Sequence, residues 1–245
     1  MRTLILDIET SPNVAHVWSL FNENISLDQL QEPSFTLCWA AKWRGSKRTF
    51  FSNYHNPEML GEIWDLMNEA DVVVHYNGDK FDIPVLNKEF LLAGMDPPSP
   101  YHSLDLYKTV KKKFRFSSLK LKHVAEQLNL TNKVQHEGHN LWVGVLNNDD
   151  KSWRKMKKYN IGDVIATEEL LERIYPWIDT VPNQNLYVDI SVDTPLCPGC
   201  GGDVLQRRGF SYTRLGKYQR FLCIRCGRWS RGSKRISGTE LQVAL

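Results

Sequence analysis

The chain has 245 residues, of which 42% are hydrophobic and 24% charged, with a formal net charge of +3. This is the composition of an ordinary soluble globular protein, long enough for one full core and a small appendage, and two unequal domains are expected. No apolar run approaches the roughly 18 residues of a membrane span, and the opening Met-Arg-Thr-Leu-Ile-Leu-Asp has no secretory h-region, so no membrane insertion and a cytoplasmic protein are expected.

The charge is unevenly distributed. Residues Pro195 to Arg235 hold ten Lys and Arg against the single acid Asp203, a net of +9, which leaves −6 for the rest of the chain. A basic appendage on an acidic body points to a polyanionic partner, with simple solvation as the plainer alternative. Five cysteines stand at 38, 197, 200, 223 and 226. Two Cys-x-x-Cys pairs near the end suit metal in a reducing compartment better than disulfides.

The first element is the apolar run Leu4 to Thr10, a strand that ends in two carboxylates, Asp7 and Glu9. Residues two apart in a strand share a face, so both acids project together. Such a pair repels unless a hard divalent ion such as magnesium or manganese is shared between them, and alone it is equally a solvated strand end. Residues Pro12 to Pro33 are mixed and polar. Phe35 to Trp43 and Arg48 to Tyr54 flank the turn Arg44-Gly45-Ser46-Lys47, which predicts a β-hairpin. Asn56 and Pro57 suit a helix cap and first position, and Met59, Leu60, Ile63, Leu66 and Met67 carry helical spacing to about Ala70.

Asp71 to Tyr76, with three consecutive valines, predicts a buried strand that turns at Asn77-Gly78 into a helix over about Phe81 to Ala93, with Asp82 near its start. Further helices are expected at about Leu104 to Lys112, Ser118 to Leu128 and Trp153 to Tyr175, with a long polar loop over about 129 to 150. There are no internal repeats. Tyr159 and Asp163 stand four apart on one face of the last long helix. These elements predict an α/β architecture: a mixed sheet with an antiparallel leading hairpin, flanked by helices.

Three motifs then stand in order: Asp7-Ile8-Glu9-Thr10; Asn77 through Phe81-Asp82 with Pro84 and Leu86; and Tyr159-Asn160-Ile161-Gly162-Asp163. Together they resemble the DnaQ-like DEDD exonucleases of the ribonuclease H-like fold, in the tyrosine subgroup that includes the proofreading domains of family B DNA polymerases. The resemblance covers about residues 1 to 178, including Ser118-Leu119-Lys120-Leu121 between the second and third motifs, and looks like a standalone member of bacterial or phage type. It implies a 3′ to 5′ exonuclease acting on single-stranded ends, DNA favoured, with Asp7, Glu9, Asp82 and Asp163 holding two Mg²⁺ or Mn²⁺ ions and Tyr159 positioning the attacking water. Asn77 and Phe81 would contact the nucleic acid. A polymerase or another replication or repair protein is a candidate partner. An exoribonuclease is the alternative within the class, and a non-catalytic nucleic-acid or replisome adaptor the alternative outside it. The chemistry of the residues agrees, since carboxylates from three elements can hold two ions about 3.5 to 4 Å apart for attack on a phosphodiester.

Other polar residues have plainer readings. Asp79 is expected to be a turn residue, Asp105 a helix cap, His136 and His139 solvated loop histidines, and Cys38 a buried small hydrophobe. Lys108, Lys111, Lys112, Lys113, Arg115, Lys120 and Lys122, with Phe114 and Phe116, read equally as a single-strand track and as a solvated helix face.

The expected organisation is a catalytic domain over 1–180, a linker over 181–194, a ribbon over 195–235 and a tail over 236–245. In the ribbon, Cys197-Pro198-Gly199-Cys200 and Cys223-Ile224-Arg225-Cys226 can give four thiolates to one structural zinc, with Gly201 and Gly227 allowing tight turns. So small a segment relies on the metal to fold. It resembles a zinc ribbon. Its Arg207, Arg208, Arg214, Lys217 and Arg220 are the candidate nucleic-acid contacts, together with Arg225, Arg228 and Arg231, and protein docking is the rival role.

Overall fold

The computed structural model describes residues 1–21, 23–130, 138–187 and 195–240. The chain divides into two compact units, the first Arg2–Leu170 and the second from Leu171 onward.

The first unit is built on a five-stranded sheet of β1 (Thr3–Thr10), β4 (Thr36–Trp43), β5 (Thr49–Asn53), β6 (Val72–His75) and β7 (His102–Asp105), in the order β5-β4-β1-β6-β7. The short pair β2 (Val14–Ala15) and β3 (Leu30–Glu32) lies between β1 and β4 in sequence. The β4–β5 hairpin is antiparallel and β4 pairs antiparallel with β1, whereas β6 and β7 join in parallel. Central β1 is buried on both faces over Thr3–Leu6, as a strand between two layers must be, before its acids begin. Leu4, Leu6 and Ile8 pack with Trp39 and Ala41 of β4 against Met59, Ile63 and Met67 of α1 (Met59–Asn68) and Leu86 and Phe90 of α2 (Asp82–Leu92). The Trp39 indole donates to the Met59 carbonyl at 2.8 Å, which satisfies the only polar atom of that buried ring.

A second cluster joins Leu37 and Cys38 of β4 to Leu141 and Val145 of α5 (His139–Leu146) and to Met156 and Tyr159 of α6 (Asp150–Ile174). Residues of β1 and β4 that pair directly share a face, so Asp7 beside Ala40 and Glu9 beside Cys38 face away from the Leu4 cluster. The same sheet thereby buries one side of β1 and keeps the other for its acids.

Several elements differ from the sequence reading. Glu58, not Asn56, precedes the first turn of α1, because the Asn56 side chain accepts from the Glu58 amide at 3.1 Å and closes a turn ahead of the helix. Residues 102–105 are a strand where the pattern predicted a helix from Leu104, since Ser103 and Leu104 enter the parallel ladder beside Val73 and Val74. The next helix, α3 (Leu106–Lys113), starts at Leu106, with Asp105 as its cap accepting from the Tyr107 amide. Within the expected loop over 129–150, α5 forms because Leu141 and Val145, four apart, both reach the core. His139 opens that helix on its exposed side, and His136 lies outside the described residues. The helix α4 (Leu121–Gln127) falls inside its expected range.

In the second unit, the end of α6 leads into the 3-10 turns Tyr175–Trp177 and Gln184–Tyr187, and β8 (Leu205–Tyr212), β9 (Gly216–Cys223) and β10 (Trp229–Gly238) form an antiparallel sheet in the order β10-β9-β8. Among the described residues, no helix is long and apolar enough to cross a membrane.

Candidate functional site

Asp7, Glu9 and Asp163 each offer a carboxylate oxygen within 4.8 Å of the others. Two come from β1 and one from the middle of α6, so the cluster exists only because α6 crosses the open face of the sheet. Asn160, fully buried one helical turn before Asp163, donates its amide to Asp7 Oδ2 at 2.7 Å and to the Asp7 carbonyl at 3.2 Å. That fixes the Asp7 rotamer and ties α6 to β1 by a charge-assisted bond. Tyr159 is held edge-on to Trp142, with ring centroids 6.3 Å apart, and the Trp142 indole donates to the Thr10 carbonyl at 3.0 Å. Burial, then the charges of Asp163, Glu9 and Asp7, push the Tyr159 phenol far above its ordinary value. Its hydroxyl therefore keeps its proton and stays a hydrogen-bond donor.

Asp82, at the start of α2, stands apart from this trio. Its pairing partner is backbone: Oδ1 accepts from the Ile8 amide at 3.0 Å. The reason lies in the sheet, where β6 pairs with β1 only over Thr3–Ile5 and so leaves the Ile8 amide beyond the ladder. Burial pushes the Asp82 carboxyl up to about 7; the Ile8 bond opposes this, and the charges of Asp105 and Asp163 add to it.

The turn that delivers Asp82 rests on a polar network at the ends of β6 and β7. His75 is fully buried, its Nδ1 accepts from the Gly78 amide at 3.0 Å, and its Nε2 meets Ser103 Oγ at 2.8 Å. Ser103 and Lys108 both donate to Asp79, while Asp105 Oδ1 accepts from the Asn77 amide at 2.8 Å and the Tyr107 amide at 3.0 Å. Asn77 adopts φ 66°, the left-handed conformation that asparagine tolerates. Gly78 is required by space: a Cβ there would lie 2.5 Å from His75 Cγ and 2.9 Å from Asp82 Oδ2. His75, Asp79 and Asp105 are spaced like metal ligands, but these bonds already engage them as a scaffold for the turn.

In the second unit Cys197, Cys200, Cys223 and Cys226 bring their sulfurs within 4.8 Å of one another, with 3.6 Å between Cys197 and Cys226 and between Cys200 and Cys223. A tetrahedral zinc with Zn–S of about 2.3 Å has sulfur–sulfur edges of about 3.8 Å, so the four thiols fit that ion. Gly201 and Gly227, at φ 66° and 70°, close each knuckle by donating to the Cys197 and Cys223 carbonyls at 2.9 Å. Arg228 is buried beside them and donates to the carbonyls of Tyr175 and Ile178 at 2.9 and 2.7 Å, while the Tyr175 hydroxyl donates to the Gly199 carbonyl at 2.7 Å.

The model for the RNase_H superfamily matches residues 4–175, which contain the strand, turn and helix that carry all four acids and Tyr159. The chain belongs to the RNase_H superfamily. Membership supports a nuclease. A family B DNA polymerase from the hyperthermophilic archaeon Pyrobaculum calidifontis superposes with a TM-score of 0.56 and 21% identity, over 71% of this chain and 24% of the polymerase chain. This likeness is one of fold, and the chain matches about a quarter of that polymerase's length. No curated protein matches the chain. The four-cysteine cluster lies beyond the matched residues and fits a zinc ribbon.

Within this RNase_H-superfamily member, the structure brings Asp7, Glu9, Asp163 and Tyr159 together and holds Asp82 one strand position away on the Ile8 amide. Phe81 is 43% exposed beside Asp82, whereas Asn77 uses its backbone to hold the turn. Cys38 is buried, and burial together with Glu9 and Asp7 pushes its thiol up, as befits a packing residue. Of the expected cationic stripe, Lys108 is engaged by Asp79 and Lys122 pairs with Glu126 at 3.9 Å. Arg228, grouped by sequence with the surface cations of the ribbon, is a buried structural residue instead. Asn160, His75 and Trp142 carry the positioning and had no assigned role. Asn160 was legible as the residue three before Asp163 on the same helical face; His75 and Trp142 act through contacts that no local spacing reveals.

Proposed function

We propose that the first unit is a metal-dependent 3′ to 5′ exonuclease of the DEDD tyrosine type, acting on single-stranded nucleic acid, DNA favoured, and that the zinc ribbon helps hold the substrate. The observation that carries this reading is the convergence of Asp7, Glu9 and Asp163 within 4.8 Å, with the Tyr159 phenol among them. Three hard oxygen donors of like charge at this spacing fit a magnesium or manganese ion. Asp7, Glu9 and Asp163 would hold one such ion, and Asp82 with Asp7 a second. Bound there, the ions supply a water of lowered pKa and offset charge on the phosphate oxygens.

The chain's own residues do the rest. Asn160 holds Asp7 in one rotamer, so the carboxylate needs little reorganisation on binding a phosphodiester. Tyr159, kept protonated by burial and by the acids around it, orients the attacking water through its hydroxyl. Phe81, exposed beside Asp82, offers a ring on which the terminal base can stack. In the ribbon the four thiols would hold one structural zinc.

The direct test is product analysis with matched single-stranded DNA and RNA oligonucleotides labelled at either end, with and without manganese. The expected result is metal-dependent release of mononucleotides from the 3′ end, faster on DNA and absent in Asp7→Asn. Faster hydrolysis of RNA would make the protein an exoribonuclease. Binding without hydrolysis under any divalent ion would make it an adaptor.

A further inference from the structure

The ribbon sheet carries aromatic-capped cations on both faces, with the Lys217 ammonium 3.9 Å over Phe210 on one and two capped arginines on the other. On the second of these, the Arg220 guanidinium lies 4.8 Å over Trp229 and that of Arg231 lies 4.4 Å over Tyr218. Arg220 also donates through Nε to the Arg208 carbonyl at 2.9 Å. These residues share a face by register, since Arg220 pairs with Arg231 across β9 and β10. Their charge is partly spent inside the fold.

The other face carries a row across all three strands, in which Phe221 of β9 pairs with Arg207 of β8 and with Ser230 of β10. This row opens into a groove of about 1020 Å³ that Gln219 and Lys234 also line. Among the described residues, no acid lines the groove and no ion pair engages Arg207 or Lys234. Asp203 is the single acid from Pro195 to Arg235, and it does not line the groove.

We propose that this groove, and not the capped Arg220 beside Trp229, is the track for the sugar-phosphate backbone of a single strand. Arg207 and Lys234 contact successive phosphates from the two outer strands, and Phe221 between them receives a base. The inference rests on reading the ribbon as a nucleic-acid binder and specifies which face binds. The occupant is set by charge: an electropositive groove with an aromatic floor is the combination that single strands recognise, because every base has a stacking face and every linkage a charge. Of the eight ribbon cations singled out from sequence, Arg207 and Arg231 border the groove.

The test compares two full-length double variants that remove the same charge, Arg207→Ala with Lys234→Ala in the groove and Arg208→Ala with Arg214→Ala outside it. Anisotropy titrations with a labelled single-stranded DNA are run at several salt concentrations, with zinc content and circular dichroism as checks on the fold. Each phosphate contact on a single strand contributes about 0.7 to the logarithmic salt slope, so the groove pair should lower the slope by about 1.4 and the affinity roughly tenfold near 0.1 M salt. The outer pair should change both much less. If the outer pair flattens the slope instead, the groove assignment is wrong. If neither pair does so while zinc is retained, the ribbon docks protein, and the proposal falls with the nucleic-acid reading of the ribbon. A groove-dependent slope in a protein that hydrolyses nothing would overturn the exonuclease reading and leave the groove standing.

Discussion

The two units gather their ligand-type side chains over very different stretches of chain. Asn160 reaches Asp7 across 153 residues and Asp82 reaches Ile8 across 74, so the acids meet only once the sheet and α6 are assembled. The cysteines meet across 29 and 23 residues, through two tight knuckles and a hairpin sheet. Their cores differ in the same sense. Behind the acids lie Leu4, Ile63, Met67, Val73 and Leu86, all fully buried, whereas Cys197 and Cys223 are the buried hydrophobic residues of the described ribbon. The acidic site therefore sits on a fold with an apolar core of its own. In the ribbon the ligand-type residues are themselves the core, so a metal held there would be part of the fold.

The sharpest way to break this contrast is Asp7→Asn. Hydrolysis should fall by on the order of a thousandfold or more, since the residue shared by both proposed ions loses its charge. Thermal stability and oligonucleotide binding should stay near wild type, because the core is untouched. A variant that hydrolyses at near-wild-type rate would remove Asp7 from the ligand set, and one that unfolds would show that the acids sustain the fold. Tyr159→Phe probes the same unit more gently. Loss of one positioning hydroxyl should slow single-turnover hydrolysis roughly ten- to a thousandfold while leaving the manganese dependence in place. An unchanged rate would return Tyr159 to packing against Trp142 and Met156.

Cys223→Ser tests the other side. Zinc should be lost, the ribbon should lose protease resistance, and affinity for single-stranded DNA should fall roughly tenfold with a shallower salt dependence. Single-turnover rates at saturating substrate should persist. Retention of a folded ribbon without metal would erase the distinction between the units.

What could be read from the sequence follows the same division. The knuckles, their glycines and the metal-binding spacing are local, and the sequence alone was enough to place them. The acid-bearing strand, the Asn77 turn and the helix with Tyr159 and Asp163 were each legible as elements, and their order carried the family resemblance. Their convergence was not derivable from periodicity, because it depends on which strands pair. Thus Leu104 and Asp105 read as the start of a helix, whereas the ladder with β6 takes them into β7. The support of Asp82 by His75 was hidden for the same reason, since it passes through space between strand ends.

Gly78→Ala sharpens that last point. The added methyl would meet His75 Cγ at 2.5 Å and Nδ1 at 2.6 Å, and His75 is held on its other side by Ser103. The ring or the turn must move, at a cost of about 1 to 3 kcal/mol. Activity should drop about tenfold through displaced Asp82, with the ribbon's zinc content unaffected. Activity equal to wild type would show that the turn tolerates the shift and that the network is not a positioning device.

The smallest effect, and the most specific, concerns Asp82 in metal-free protein. Its folded-state pKa of about 7 lies above its ordinary 3.8, so the native state retains a proton that the unfolded chain releases between those values. Stability then falls as pH rises from about 4 to about 7, because the unfolded state binds fewer protons there. The ceiling on this loss is about 4 kcal/mol at 1.36 kcal/mol per unit, and relaxation on ionisation will lower it. Asp82→Asn keeps an oxygen for the Ile8 amide but carries no charge to bury. Without divalent ions, its melting temperature should match wild type near pH 4 and exceed it by several degrees at pH 8. Added manganese should reverse the order at pH 8, since only the carboxylate gains from the ion. A gap that ignores pH would mean that Asp82 is ionised throughout, and its bond to the Ile8 amide would then suffice to hold a buried charge.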